Sequence, residues 1–241
     1  MTKLFGAILC AAAATLAAVP SAIAAPSGNN GNSGNNGEII YNPDAPTYTL
    51  QRGALDSSNI PFSNHSIDKP FGSYLQQTLD FAPFQVLFNS INATVGTLKS
   101  RGEAHITVVT PPEFDRVLKP AGVTIQEIQD IALKRDIQCA RLKPVCLGRF
   151  SGSLPNPLTD ADKGKFLLYS VVLADVHGDL VNIRRDIFKL YRKKGGEGAL
   201  FQPEGFWPHV TIGFDRRDLF IEDGFYKGSN YCYAPIRTVK N

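Results

Sequence analysis

A chain of 241 residues with 43% hydrophobic and 20% charged side chains carries enough apolar material for a full core, which excludes disordered and fibrous classes. Its 25 basic and 22 acidic side chains leave a formal charge of +3, too weak to hold duplex DNA through counterion release. Any preference for phosphate must come from a local site.

The chain opens on a leader pattern. Lys3 gives a positive start, residues 4–19 are apolar and Ala-rich, and Ala22-Ile23-Ala24 has the small-x-small form of a signal-peptidase site. Cleavage is expected after Ala24, since a cut after Ala25 would leave Pro26 first. Residues 26–37 (PSGNNGNSGNNG) have nothing to bury and read as a tether. The expected division is a signal peptide over 1–24, a flexible Asn/Gly-rich linker over 25–45 and one domain over 46–241. No later run is long and apolar enough to span a bilayer, so the expectation is a secreted monomer with no membrane partner.

Within the domain, 74–79 reads as a strand entered through Pro70-Phe71-Gly72. Residues 84–98 place apolar side chains at Val86, Leu87, Ile91, Val95 and Leu98, near helical period. A turn at Ser100-Arg101-Gly102 leads into a β-rich segment, HITVVT over 105–110, which Pro111-Pro112 ends. Residues 112–118 read as helical, Thr124 and Glu127 form a capping box for a second helix to about 136, and 147–150 reads as a strand. Residues 151–163, rich in Pro, Ser, Asp and Gly, read as a loop. The run 166–174 (FLLYSVVLA) is apolar nearly throughout and reads as a central strand. A turn at Asp175 and Gly178 precedes a helix stripe over 180–192, and a Gly-rich connector over 195–205 leads to PHVTIGF at 208–214. The order strand, helix, histidine strand therefore occurs twice.

Residues two apart on a strand face the same side. His105 with Thr107, and His209 with Thr211, each place an imidazole beside a hydroxyl, with aliphatic side chains facing the other way. Two such strands meeting at one cleft suit in-line displacement at phosphorus. One neutral imidazole takes a proton from the attacking oxygen, the other protonates the departing one, and the Thr hydroxyls donate to the non-bridging oxygens. No metal or other cofactor is needed. Pseudo-symmetry leaves open which histidine is base and which acid.

HITVVT and PHVTIGF resemble the paired His-x-Thr-x motifs of the 2H phosphoesterase superfamily, and HITVVTPPEF is most similar to its fungal Swiss Army Knife type. The resemblance implies an α+β, bilobal fold, with two antiparallel sheets and flanking helices around a central cleft. It also implies metal-independent cleavage of 2′,3′-cyclic phosphates or related RNA-end phosphodiesters, with His105, Thr107, His209 and Thr211 as the catalytic set. The expected partner is thus a nucleotide or RNA end.

Other residues invite a role. Phe206 and Trp207 precede His209 and are able to stack on a base, although an aromatic pair packs into the core by default. Arg101 and Arg216 flank the two motif strands and are candidates to reach a phosphate. Arg184, Arg185, Lys189, Arg192, Lys193 and Lys194 form a basic helix face, read as solvated. With Cys10 removed in the leader, Cys139 and Cys146 are the expected disulfide, leaving Cys232 as a buried thiol. Asn64 and Asn92 head glycosylation triplets. Two rival readings remain: a catalytically silent secreted nucleotide- or phosphate-binding protein of this fold, and a two-histidine ribonuclease of another fold.

Overall fold

The computed structural model describes residues 39–155, 157 and 159–240. The expected signal peptide and residues 25–38 of the expected linker lie outside them.

Two units of the same order carry the motif strands. The first is β2 (Leu75–Leu79), α1 (Phe81–Val95) and β3 (Ala104–Val109). The second is β5 (Lys165–Asp175), α3 (Asp179–Lys193) and β6 (His209–Phe214). In each, the histidine strand pairs antiparallel with the strand that opens the unit. Helix α1 begins earlier than its apolar period suggests, because the Asp80 carboxylate accepts from Ala82 N, and Pro83 in the first turn forfeits no helical bond. Gly96, at φ 76, closes that helix in the left-handed conformation. Helix α3 starts where Asp175 accepts from the backbone N–H groups of Asp179 and Val181, both at 2.9 Å. Helix α2 (Ile125–Lys134) opens with both halves of the Thr124–Glu127 capping box in place. The expected helix over 112–118 is present as a wider π-helical turn at Glu113–Leu118.

Strand β4 (Leu142–Ser153) is far longer than the four residues read from sequence, because Gly148 and the Ser-Gly-Ser run at its end sit in an extended ladder with β5. The described strands form three sheets rather than the two antiparallel ones expected. These are β2 with β3, the antiparallel order β6-β5-β4-β7 with β7 at Cys232–Ala234, and a parallel pair of β1 (Tyr48–Gln51) with β8 (Ile236–Val239). The fold is α+β. Internal β5 fits its apolar sequence. No described helix is long and apolar enough to cross a membrane.

One core joins the two units, with Leu87, Ile91, Ile106, Val108, Ile183, Ile187, Val210 and Ile212 in a single cluster. Lys99 and Phe214 exchange backbone hydrogen bonds at 2.7 and 3.1 Å, fixing the approach to β3 against the end of β6. At Gly213 an added Cβ would lie 3.0 Å from the Phe88 ring, so this glycine lets α1 rest closely on β6. Of the expected linker, residues 39–45 are described. Ile39 and Tyr41 pack beside Cys146 and Cys232, and Asn42 N donates to Tyr233 O.

The disulfide expectation is corrected. Cys146 is bonded to Cys232, with Cα atoms 5.6 Å apart, and not to Cys139. Cys139 ends the turn at Ile137–Cys139, after which β4 extends at about 3.3 Å per residue and carries Cys146 away. The same strand lies beside β7, which begins at Cys232. Cys232 is therefore not a free thiol, and no cysteine among the described residues is free.

Candidate active site

Strand alternation sets the site. In β3, Ala104, Ile106 and Val108 are buried while His105 and Thr107 are half-buried; in β6, Val210 and Ile212 are buried while His209 and Thr211 are half-buried. All four motif side chains line one cavity of about 500 Å³. Arg101, Phe206 and Trp207 line it too, but Arg216 does not. Its guanidinium instead donates to the carbonyls of Lys163 and Ala161 and lies over the Phe166 ring, 4.4 Å from the centroid. The turn after β6 carries Arg216 to the loop that joins β4 to β5. Its neighbour Arg217 reaches the cavity wall, with its guanidinium bound to the carboxylates of Asp162 and Asp223 at 2.7–2.9 Å.

The two histidines differ in surroundings. His209 Nδ1 lies 2.7 Å from the Trp207 carbonyl oxygen. A carbonyl only accepts, so Nδ1 carries the proton and Nε2 keeps its lone pair. Burial, aided by the nearby charge of Lys227, lowers the His209 pKa to about 3, against the opposing pull of Asp218. His209 is thus neutral across the physiological range. His105 Nδ1 sits 3.3 Å from a carboxylate oxygen of Glu103, within ion-pair distance though off the direction of a good hydrogen bond. Contact with His105 is the leading cause holding the Glu103 carboxyl below its usual range.

Several groups at the site were not read from sequence. Asp218, 5% exposed, accepts from Arg101 and Lys227 at 2.8 and 2.7 Å, and from the Thr211 hydroxyl at 3.3 Å. Burial would raise the Asp218 pKa, but the Lys227 and Arg101 charges outweigh it and hold the carboxyl low. Tyr74 also lines the cavity, and His65 stacks on its ring with centroids 4.4 Å apart. Glu103 could have been suspected from its place two residues before His105. Asp218 and Lys227 carry no comparable signal, because they reach Thr211 from loops.

Arg184 corrects the reading of a solvated basic face. It is 1% exposed and lies on the buried stripe of α3 with Ile183 and Ile187. It binds Glu113 at 2.8 Å and the carbonyls of Val108, Pro203 and Gln202 at 2.7–2.9 Å. Phe206 rests on its guanidinium, 5.4 Å from the ring centroid, while Trp207 packs against Tyr226 with centroids 4.5 Å apart. Asn64 is exposed, and its side-chain oxygen accepts from Gln129. Asn92 lies in the last turn of α1 and accepts from Leu98 N. Among the described residues no group of three or more His, Cys, Asp or Glu side chains could hold a metal ion.

Comparison with curated proteins and with solved structures yields no match. A family model does match: the Swiss Army Knife, 2H phosphoesterase domain, over residues 73–220, which is more than half of the chain and includes both motif strands. The chain belongs to the 2H phosphoesterases, hydrolases of phosphoester bonds, and among them to the Swiss Army Knife family.

Proposed function

We propose that this protein is a secreted, metal-independent phosphodiesterase that cleaves cyclic or linear phosphodiesters of nucleotides or RNA ends through its two His-x-Thr strands. The observation that carries the reading is the electrostatic asymmetry of two histidines lining one cavity: His209 neutral with a free Nε2, His105 beside a carboxylate. His209 is the general base and His105 the general acid. With the roles reversed, an imidazole of pKa about 3 would be almost wholly unprotonated at neutral pH and have no proton to give.

In the reaction, His209 Nε2 takes a proton from water as its oxygen bonds to phosphorus. The bond from phosphorus to the leaving ribose oxygen breaks, and that oxygen takes the proton of His105. Product release leaves His209 protonated and His105 neutral, and exchange with solvent resets both. Thr107 and Thr211 donate to the non-bridging oxygens, where negative charge gathers. The aromatic wall at Trp207 and Tyr226 offers a face for a base. Secretion is supported by the leader pattern and by the Cys146–Cys232 disulfide, which suits an oxidising compartment.

The test is hydrolysis of 2′,3′-cyclic nucleotides and of short 2′–5′ and 3′–5′ dinucleotides, in the presence of a chelator. The parent is expected to turn over at least one of them, and His105→Ala or His209→Ala to lose roughly 10²–10⁴-fold in kcat with an unchanged circular dichroism spectrum. Tight nucleotide binding with no product from the parent would mark the protein as a silent binder instead.

A further inference from the structure

Resting on the reading of this cavity as a phosphodiesterase site, we propose that Lys227 is a third phosphate-binding group, lying outside both His-x-Thr motifs. It also lies beyond residues 73–220, the stretch matched by the family model.

The geometry is that of a held cation. Lys227 is 3% exposed yet lines the cavity. Its ammonium donates to Asp218 Oδ1 at 2.7 Å and to the Thr211 hydroxyl oxygen at 3.1 Å. An ammonium has three N–H donors, and among the described residues the third has no hydrogen-bond acceptor, only the face of the Phe220 ring, 5.6 Å from the ammonium to the centroid. A buried donor without a partner is costly unless a ligand supplies one. The charge count points the same way. Asp218 is shared between Lys227 and Arg101, so two cations face one carboxylate. The trio carries one net positive charge beside Thr211, the charge that a phosphodiester monoanion would neutralise.

The backbone around Lys227 is held in an unusual state to bring it there. Its φ is 48, a left-handed conformation that a lysine adopts only when its surroundings demand it. At the next residue, Gly228, an added Cβ would lie 2.7 Å from the Trp207 ring. The turn is therefore packed closely against the aromatic wall. Thr211 gains as well: its oxygen accepts from Lys227, which leaves its own proton to swing from the 3.3 Å contact with Asp218 to a phosphate oxygen.

The test is binding of inorganic phosphate by calorimetry, alongside kcat/KM on a 2′,3′-cyclic nucleotide, for the parent, Asp218→Asn, Lys227→Met and the double variant. The double variant leaves neither charge buried alone, which keeps the comparison open if Lys227→Met does not fold. Asp218→Asn keeps the cation and removes its competitor, so it is expected to bind phosphate at least as tightly as the parent. Adding Lys227→Met to it is expected to weaken phosphate binding at least tenfold and to lower kcat/KM ten- to a hundredfold. If the double variant binds phosphate as tightly as Asp218→Asn and cleaves at the same rate, Lys227 is a structural residue only. If the parent neither binds phosphate nor cleaves a phosphodiester, the phosphodiesterase reading falls and the Lys227 proposal with it.

Discussion

Each motif residue is defined by what touches it. His209 differs from His105 less by its place on a strand than by a carbonyl at Nδ1 and a buried lysine nearby. A base whose pKa is lowered to about 3 stays deprotonated far below the ordinary imidazole range, so the acid limb of kcat/KM against pH is expected well under pH 6, with protonation of His209 ending activity only near its lowered pKa. A limb in the ordinary imidazole range, lost on His209 substitution, would contradict the assignment. Thr211→Val keeps the shape but removes a donor to the non-bridging oxygen and an acceptor for the buried Lys227 ammonium, and is expected to lower kcat roughly 10²-fold and stability by about 1–3 kcal/mol. The motif pairs were legible in the sequence because period two on a strand leaves only one face for each pair. The base and acid roles were not, because Glu103, Asp218 and Lys227 act through space. Arg216 was misread for the same reason: nearness to a strand end does not say which way a loop turns.

Among the elements, α3 does more than pack. Its Arg184 ties the end of β3, through Val108 O, to the connector 202–205 that precedes Phe206, Trp207 and His209. Removing a buried, fully bonded charge leaves Glu113 and several carbonyls unpaired. Arg184→Met is expected to cost about 3–5 kcal/mol of stability in denaturant unfolding, and to lower kcat in whatever fraction still folds. A loss under about 1 kcal/mol, the usual range for exposed ion pairs, would show that the clamp is dispensable. Strong periodicity made α1, α3, β5 and the capping box of α2 readable, whereas β4 was cut short because Gly148 and Ser-Gly-Ser resemble turn chemistry until a partner strand is present. Strands β1, β7 and β8 are short, and only their long-range pairing defines them.

Over the whole molecule, the Cys146–Cys232 bond joins two strands of the four-stranded sheet across 86 residues of sequence. A closure of that length restricts the unfolded chain, and its loss is expected to cost about 2–4 kcal/mol. Guanidinium unfolding of Cys146→Ser/Cys232→Ser against the parent reads this directly, and an unchanged midpoint would contradict it. The pairing was hidden in the sequence because nearness along the chain favoured Cys139, while sheet order brings Cys232 beside Cys146.

The proposed reaction needs the two imidazoles to grip one phosphate. A crystal structure of the protein with a nucleoside vanadate, a mimic of five-coordinate phosphorus, measures that directly. The expected density lies between His105 and His209, with vanadate oxygens within hydrogen-bond distance of Thr107, Thr211 and both rings. Vanadate bound at another place, or contacting one histidine while the other stays out of reach, would contradict it.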